Sequence, residues 1–154
     1  MNEETELEYA GFWSRTGATI IDTILLMLIT APLLISIYGT DYFTSEEIIA
    51  GSWDFLISWV LPAFATIIFW IYRAATPGKM AIKAKILDAN TGRAPSTGQL
   101  IGRYFAYLVS ILPLCLGIFW VAFDKRKQGW HDKLAGTVVV KNKDTGPEPV
   151  VFNQ

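Results

Sequence analysis

The chain has 154 residues, 52% apolar and 18% charged, with a formal net charge of −1. So low a charged fraction is unusual for a soluble domain, and the lack of a basic excess excludes nucleic acid as an expected partner. Its single cysteine, Cys115, leaves no intrachain disulfide and no cysteine-rich metal site.

Residues 1–16 are acidic and lack the positive start and small-residue cleavage site of a secretory signal. They read as an interfacial segment ahead of a retained first span. The first apolar segment, 17–38, is long enough to cross a bilayer, for which about 20 residues suffice. It is interrupted by Asp22 and Pro32. Arg15 lies seven residues before Asp22, about two helical turns, so both side chains fall on one face. A carboxylate inside a span is costly in hydrocarbon, so it must face protein or water and pair with something. Two readings of Asp22 stand open. One is a structural ion pair with Arg15 or Arg103. The other is a site that takes up a proton or a cation in turn, burial raising its pKa toward neutrality.

The loop 39–54 carries Asp41, Glu46, Glu47 and Asp54 and no Lys or Arg. A second apolar segment, 55–72, has Trp53, Trp59, Trp70 and Tyr72 near its ends, as suits an interfacial aromatic belt. The segment 73–103 then holds Arg73, Lys79, Lys83, Lys85, Arg93 and Arg103. By the positive-inside rule it is cytoplasmic, as is the N-terminus, and the 39–54 loop is outside. Within it, Ala84 to Asp88 reads as a short strand before the turn-rich Asn90-Thr91-Gly92.

The third apolar segment, 104–123, contains Pro113 and Gly117. Lys125-Arg126-Lys127, Lys133, Lys141 and Lys143 follow it, so charge bias places the tail inside as well. The β-branched run Thr137 to Lys141 reads as a second strand, and its obvious partner is the first, Ile86 against Val139. That pairing requires both on one side of the membrane. Two courses for 104–123 remain open: a plain third crossing, or a re-entrant hairpin bent between Pro113 and Gly117.

Other motifs carry little chemistry. His131 and Asp132 are neighbours, which do not face each other on a helix, and one His does not make a zinc site. Asp132 is expected to cap a short helix or to pair with a basic residue, Arg15 first and Arg103 second. Thr76-Pro77-Gly78-Lys79 lacks the remaining positions of a phosphate loop and reads as a turn. No nucleophile occurs with a base, so an enzyme is not expected, nor any cofactor or metal. Residues 142–154 form a polar tail.

Several pieces, in order, resemble the RDD family of small integral membrane proteins. They are Phe12-Trp13-Ser14-Arg15 with Ala18 and Asp22, then Thr76-Pro77-Gly78-Lys79 leading into Lys85-Ile86-Leu87-Asp88, then Arg103, then Asp124 through Thr137 with its Gly129-Trp130-His131-Asp132. The resemblance covers residues 9–141. It implies an all-α membrane protein with two or three transmembrane helices and a small cytoplasmic two-stranded β element, multi-pass in the cell membrane. It makes Arg15, Asp22 and Asp132 the name-giving residues. It also implies either an oligomeric transporter that exchanges a monovalent cation for protons, or a non-transporting accessory, assembly or regulatory protein. A chain this small needs a homo-oligomer or a partner membrane protein to enclose a pathway, and membrane lipids surround it.

Overall fold

The computed structural model describes residues 6–143. Most of the polar tail, 144–154, lies outside them. Helix α1 runs Phe12–Tyr38, 27 residues, and α2 runs Ser52–Arg73, 22 residues. Both are long and apolar enough to cross a membrane. Their large side chains, Leu28, Phe64 and many like them, stand exposed, and an apolar surface of this extent marks contact with lipid or protein. Helix α1 begins at Phe12, so Arg15 sits on its first turn. Helix α2 contains a π-turn over Leu56–Val60 just ahead of Pro62. Proline cannot donate a backbone hydrogen bond and crowds the preceding turn, and the wider π-turn absorbs the misfit.

A short helix α3 (Pro77–Ala81) follows, then strand β2 (Ala84–Asp88). Helix α4 (Thr97–Ile111) opens with a capping box: the Ser96 hydroxyl accepts from Gln99 N, and Ser96 N donates to the Gln99 side chain. The chain then breaks, and α5 (Leu116–Ala122) leaves at 111° to α4. Leu114 and Cys115 take left-handed backbone conformations at the break, and Pro113 cannot extend the helix. Gly117 closes the bend: a Cβ there would lie 2.6 Å from Ser110 Cα. The bend thus falls where the proline and glycine predict it. Helix α6 (Trp130–Ala135) and strand β3 (Thr137–Asn142) complete the described chain.

The β element differs from expectation. It has three strands, in the order β1-β3-β2. The Ile86–Val139 pairing is present in an antiparallel β2–β3 ladder. The added strand, β1 (Leu7–Tyr9), pairs with the other edge of β3, Tyr9 opposite Val140. With Ala10 N donating to Val139 O, this second edge of β3 is hydrogen-bonded from Val139 to Asn142, which shortens the unpaired edge of the most apolar strand. Ile86, Val139 and Ala84 pack with Ala10, Leu100 and, from the end of α2, Trp70 in a buried cluster. The chain leaves this sheet at Asp88 and returns to it at Thr137, so both ends of the bent third segment are tied to one small layer.

Candidate functional site

Asp132 sits at the third position of α6, where its carboxylate accepts from Gly129 N at 2.9 Å and closes the helix start. Both arginines reach it. Arg15 NH1 donates to Asp132 Oδ2 at 2.5 Å, and Arg103 NH1 pairs with Asp132 Oδ1. Arg103 and Asp132 are fully buried. The cations also reach backbone, a hydroxyl and a ring, while Arg103 Nε and NH2 have no hydrogen-bond partner among the described residues. Arg15 Nε donates to Ala10 O and its NH2 to Lys127 O. Arg103 NH1 also donates to Thr137 Oγ1, and its guanidinium lies 5.4 Å from the Trp70 ring centroid. The cluster joins α1, α2, α4, α6 and β3. Both pairings expected for Asp132, and its role at the helix start, are present together.

Desolvation by burial would raise the Asp132 pKa, but Arg103, then Arg15, outweigh it and hold the carboxyl well below the usual carboxylate range. Its neighbour His131 stacks on Tyr107 with ring centroids 3.9 Å apart, and its Nδ1 lies 3.2 Å from Ser110 Oγ. Burial pushes the imidazole pKa down to about 3, against the pull of Asp132, so the ring is neutral in the folded chain.

Asp22 is not part of this cluster, and it pairs with neither arginine. It is half-buried, and its two oxygens accept from α3: Oδ2 from the Thr76 hydroxyl at 2.5 Å, Oδ1 from Gly78 N at 2.7 Å. Gly78 is required there, because a Cβ would fall 2.0 Å from Ala18 O. The Thr76–Lys79 turn is therefore a seat for the carboxylate. Composition and spacing gave no hint of this seat; the signal was the need of a carboxylate within a span for donors, and Thr76 and Gly78 directly follow the second span.

By sequence Lys79 is one of the basic residues of the 73–103 segment. It is buried, 8% exposed, with Thr76 Oγ1 at 3.5 Å as its hydrogen-bond acceptor. Burial lowers its pKa, with Tyr107 and Asp22 opposing and Arg103 and Arg15 assisting. Among the described residues no group of His, Cys, Asp and Glu is placed to hold a metal ion.

The fold and cluster define a small, mostly helical protein with two or three segments able to cross a membrane, stapled at one end by a buried Arg–Asp–Arg cluster and a three-stranded sheet. Residues 9–136 match the RDD family, and the chain belongs to it. It is similar to an uncharacterized protein of Rickettsia prowazekii (strain Madrid E), 30% identical over an alignment covering 89% of this chain and 98% of the relative. It is also similar to the uncharacterized protein YxaI of Bacillus subtilis (strain 168), 31% identical over 85% of this chain and 96% of the relative. No solved structure matches it. Family membership and the apolar helices together point to a membrane protein.

Proposed function

We propose that the protein is a non-transporting accessory or assembly factor of the membrane, whose Arg and Asp residues hold its helices in register. The observation that carries this reading is the seating of Asp22. Both of its oxygens are occupied by donors from α3, and a backbone N–H cannot turn away to admit a cation. Asp132 is equally committed, to two guanidiniums and a helix start. The exposed apolar faces of α1 and α2 are then the surfaces offered to lipid and to a partner membrane protein.

The test is Asp22→Asn in purified protein and in vesicles. The variant loses one of the two charge-assisted bonds and is expected to be less stable by about 1–3 kcal/mol, measured by melting in detergent. Wild-type vesicles are expected to exchange neither sodium, potassium nor lithium for protons. A pH-dependent cation flux in the wild type that vanishes in a well-folded Asp22→Asn variant overturns the reading in favour of exchange.

That second reading has one observation of its own. Thr76 Oγ1 lies 2.5 Å from Asp22 Oδ2 and 3.5 Å from Lys79 Nζ, a carboxylate–hydroxyl–ammonium line in which a monovalent cation would compete with the ammonium. It requires a homo-oligomer or a partner to enclose the path.

The same proposal includes sidedness. The N-terminus, the 73–103 segment and the tail are cytoplasmic, the 39–54 loop is outside, and α4 with α5 re-enters without crossing. The charge bias supports it, as does the joining of β1, β2 and β3 in one sheet. A reporter fused to the C-terminus is expected to be active only as a cytoplasmic reporter. Activity of an exported reporter instead would mean a full third crossing.

A further inference from the structure

Between α1 and the bent pair α4–α5 runs a half-open crevice of about 630 Å3, within the roughly 300–1,000 Å3 of small-molecule sites. Its walls are apolar: Ile20 and Ile24 on one side, Ile111, Ile118 and Phe119 on the other. Thr16, Thr19 and Thr23 also line the α1 wall, but each hydroxyl donates to the carbonyl four residues back along the helix, so it offers no free donor to a guest.

The lining of α1 runs from Phe12 to Ile24. At 1.5 Å per residue this is about 18 Å, comparable with one leaflet of a hydrocarbon core about 30 Å thick. The polar lining is Arg15, Lys79 and His131 with Tyr107. His131 is neutral, and Arg15 is bound to Asp132. Lys79 is different. It is nearly buried, it lines the crevice, its hydrogen bond is one long contact to a neutral hydroxyl, and among the described ion pairs none is its own. The Asp22 carboxylate reaches it only across the Thr76 hydroxyl; a buried ammonium so weakly compensated is costly, and an acidic group entering the crevice would relieve it.

We propose that this crevice holds one acyl chain of an acidic membrane lipid, with the lipid's phosphate paired to Lys79. The chain length of one leaflet matches the apolar run, and the charge of the phosphate matches the weakly compensated cation. A free anion would leave the apolar walls uncovered, and a neutral lipid would leave the ammonium with only the Asp22 carboxylate across the Thr76 hydroxyl.

Native mass spectrometry of the full chain in detergent tests this, with phosphatidylglycerol and phosphatidylcholine of identical dioleoyl chains as probes. One phosphatidylglycerol per chain is expected, at least tenfold preferred over phosphatidylcholine. Lys79→Gln is expected to erase that preference, and Lys79→Arg to restore it. Ile111→Trp leaves Lys79 in place and fills the crevice, so it is expected to expel phosphatidylglycerol if Lys79→Gln fails to fold. Equal binding of the two lipids overturns the proposal. So does retention of phosphatidylglycerol by the Ile111→Trp variant, displacement of the lipid by inorganic phosphate alone, or a second copy of the chain occupying the face in place of lipid.

Discussion

Asp132→Ala is expected to prevent accumulation of folded protein, at a cost of about 3–5 kcal/mol, the range for breaking a buried ion pair from one side. Two guanidiniums would be left facing an empty site, and Arg103 has no exposure through which to rehydrate. Gly129 N would lose its acceptor at the start of α6 as well. The measurement is the yield of monodisperse protein in detergent, with its melting curve. A charge-free replacement separates pairing from packing: Asp132→Leu combined with Arg103→Met is expected to recover part of the loss, since apolar residues of similar volume often replace buried ion pairs without penalty. Arg15, 12% exposed at its side chain, can turn toward water or headgroups. An Asp132→Ala protein that melts within about 1 kcal/mol of the wild type would mean that the cluster contributes no more than a surface pair.

The pH dependence has two parts. Asp132 is held below its ordinary range when folded, so its contribution is complete above the unfolded pKa and fades only in strong acid. His131 behaves differently. Its folded pKa is about 3 against an ordinary 6.5, so the unfolded chain binds a proton that the folded one refuses. Stability therefore falls as pH drops below about 6.5, well before Asp132 is affected.

Much of the cluster was legible because opposite charges have few places to go in an apolar chain. Asp132 demanded a basic partner, and Arg15 and Arg103 were the choices. The pairing of Ile86 with Val139 followed from two short strands with no other candidates, whereas Pro113 and Gly117 marked where a bend would fall without deciding between a bend and a plain crossing. The unread parts depend on distance along the chain. Leu7–Tyr9 is three residues with no β-branched side chain and becomes a strand only because β3 offers a free edge. The partners of Asp22 are 54 and 56 residues away, and a basic residue seemed the natural companion when a hydroxyl and a backbone N–H serve as well. Lys79 was assigned to a solvated loop because charge counting carries no depth. The start of α4 had a visible signal, Ser96 and Gln99 at capping-box spacing, which the apolar boundary at Tyr104 hid.

Gly78→Ala is expected to be the most damaging single-methyl change in the chain. The added Cβ would lie 2.0 Å from Ala18 O, 2.8 Å from Ala18 C and 2.9 Å from Asp22 Cγ. Two of these atoms are backbone of α1 and cannot rotate aside, so α3 must retreat on the order of 1 Å, and overpacking of that kind costs about 1–3 kcal/mol. Retreat also breaks the 2.7 Å bond from Gly78 N to Asp22, and a hydrogen bond to a charged group contributes about 1.5–3 kcal/mol. The combined loss is about 2.5–6 kcal/mol, read from melting in detergent. Gly17→Ala is the control. It lies in α1 one residue from the contact, yet a Cβ there meets nothing within 4 Å, and Gly to Ala inside a helix is expected to be neutral or stabilising by up to about 1 kcal/mol. The pair of variants separates two accounts of Asp22. If the carboxylate is seated on α3, Gly78→Ala and Asp22→Asn weaken the same junction, and the double variant loses less than the sum of the two. If Asp22 is held by Arg15 or Arg103 instead, Gly78→Ala still meets the Ala18 backbone, but its loss and that of Asp22→Asn add in full.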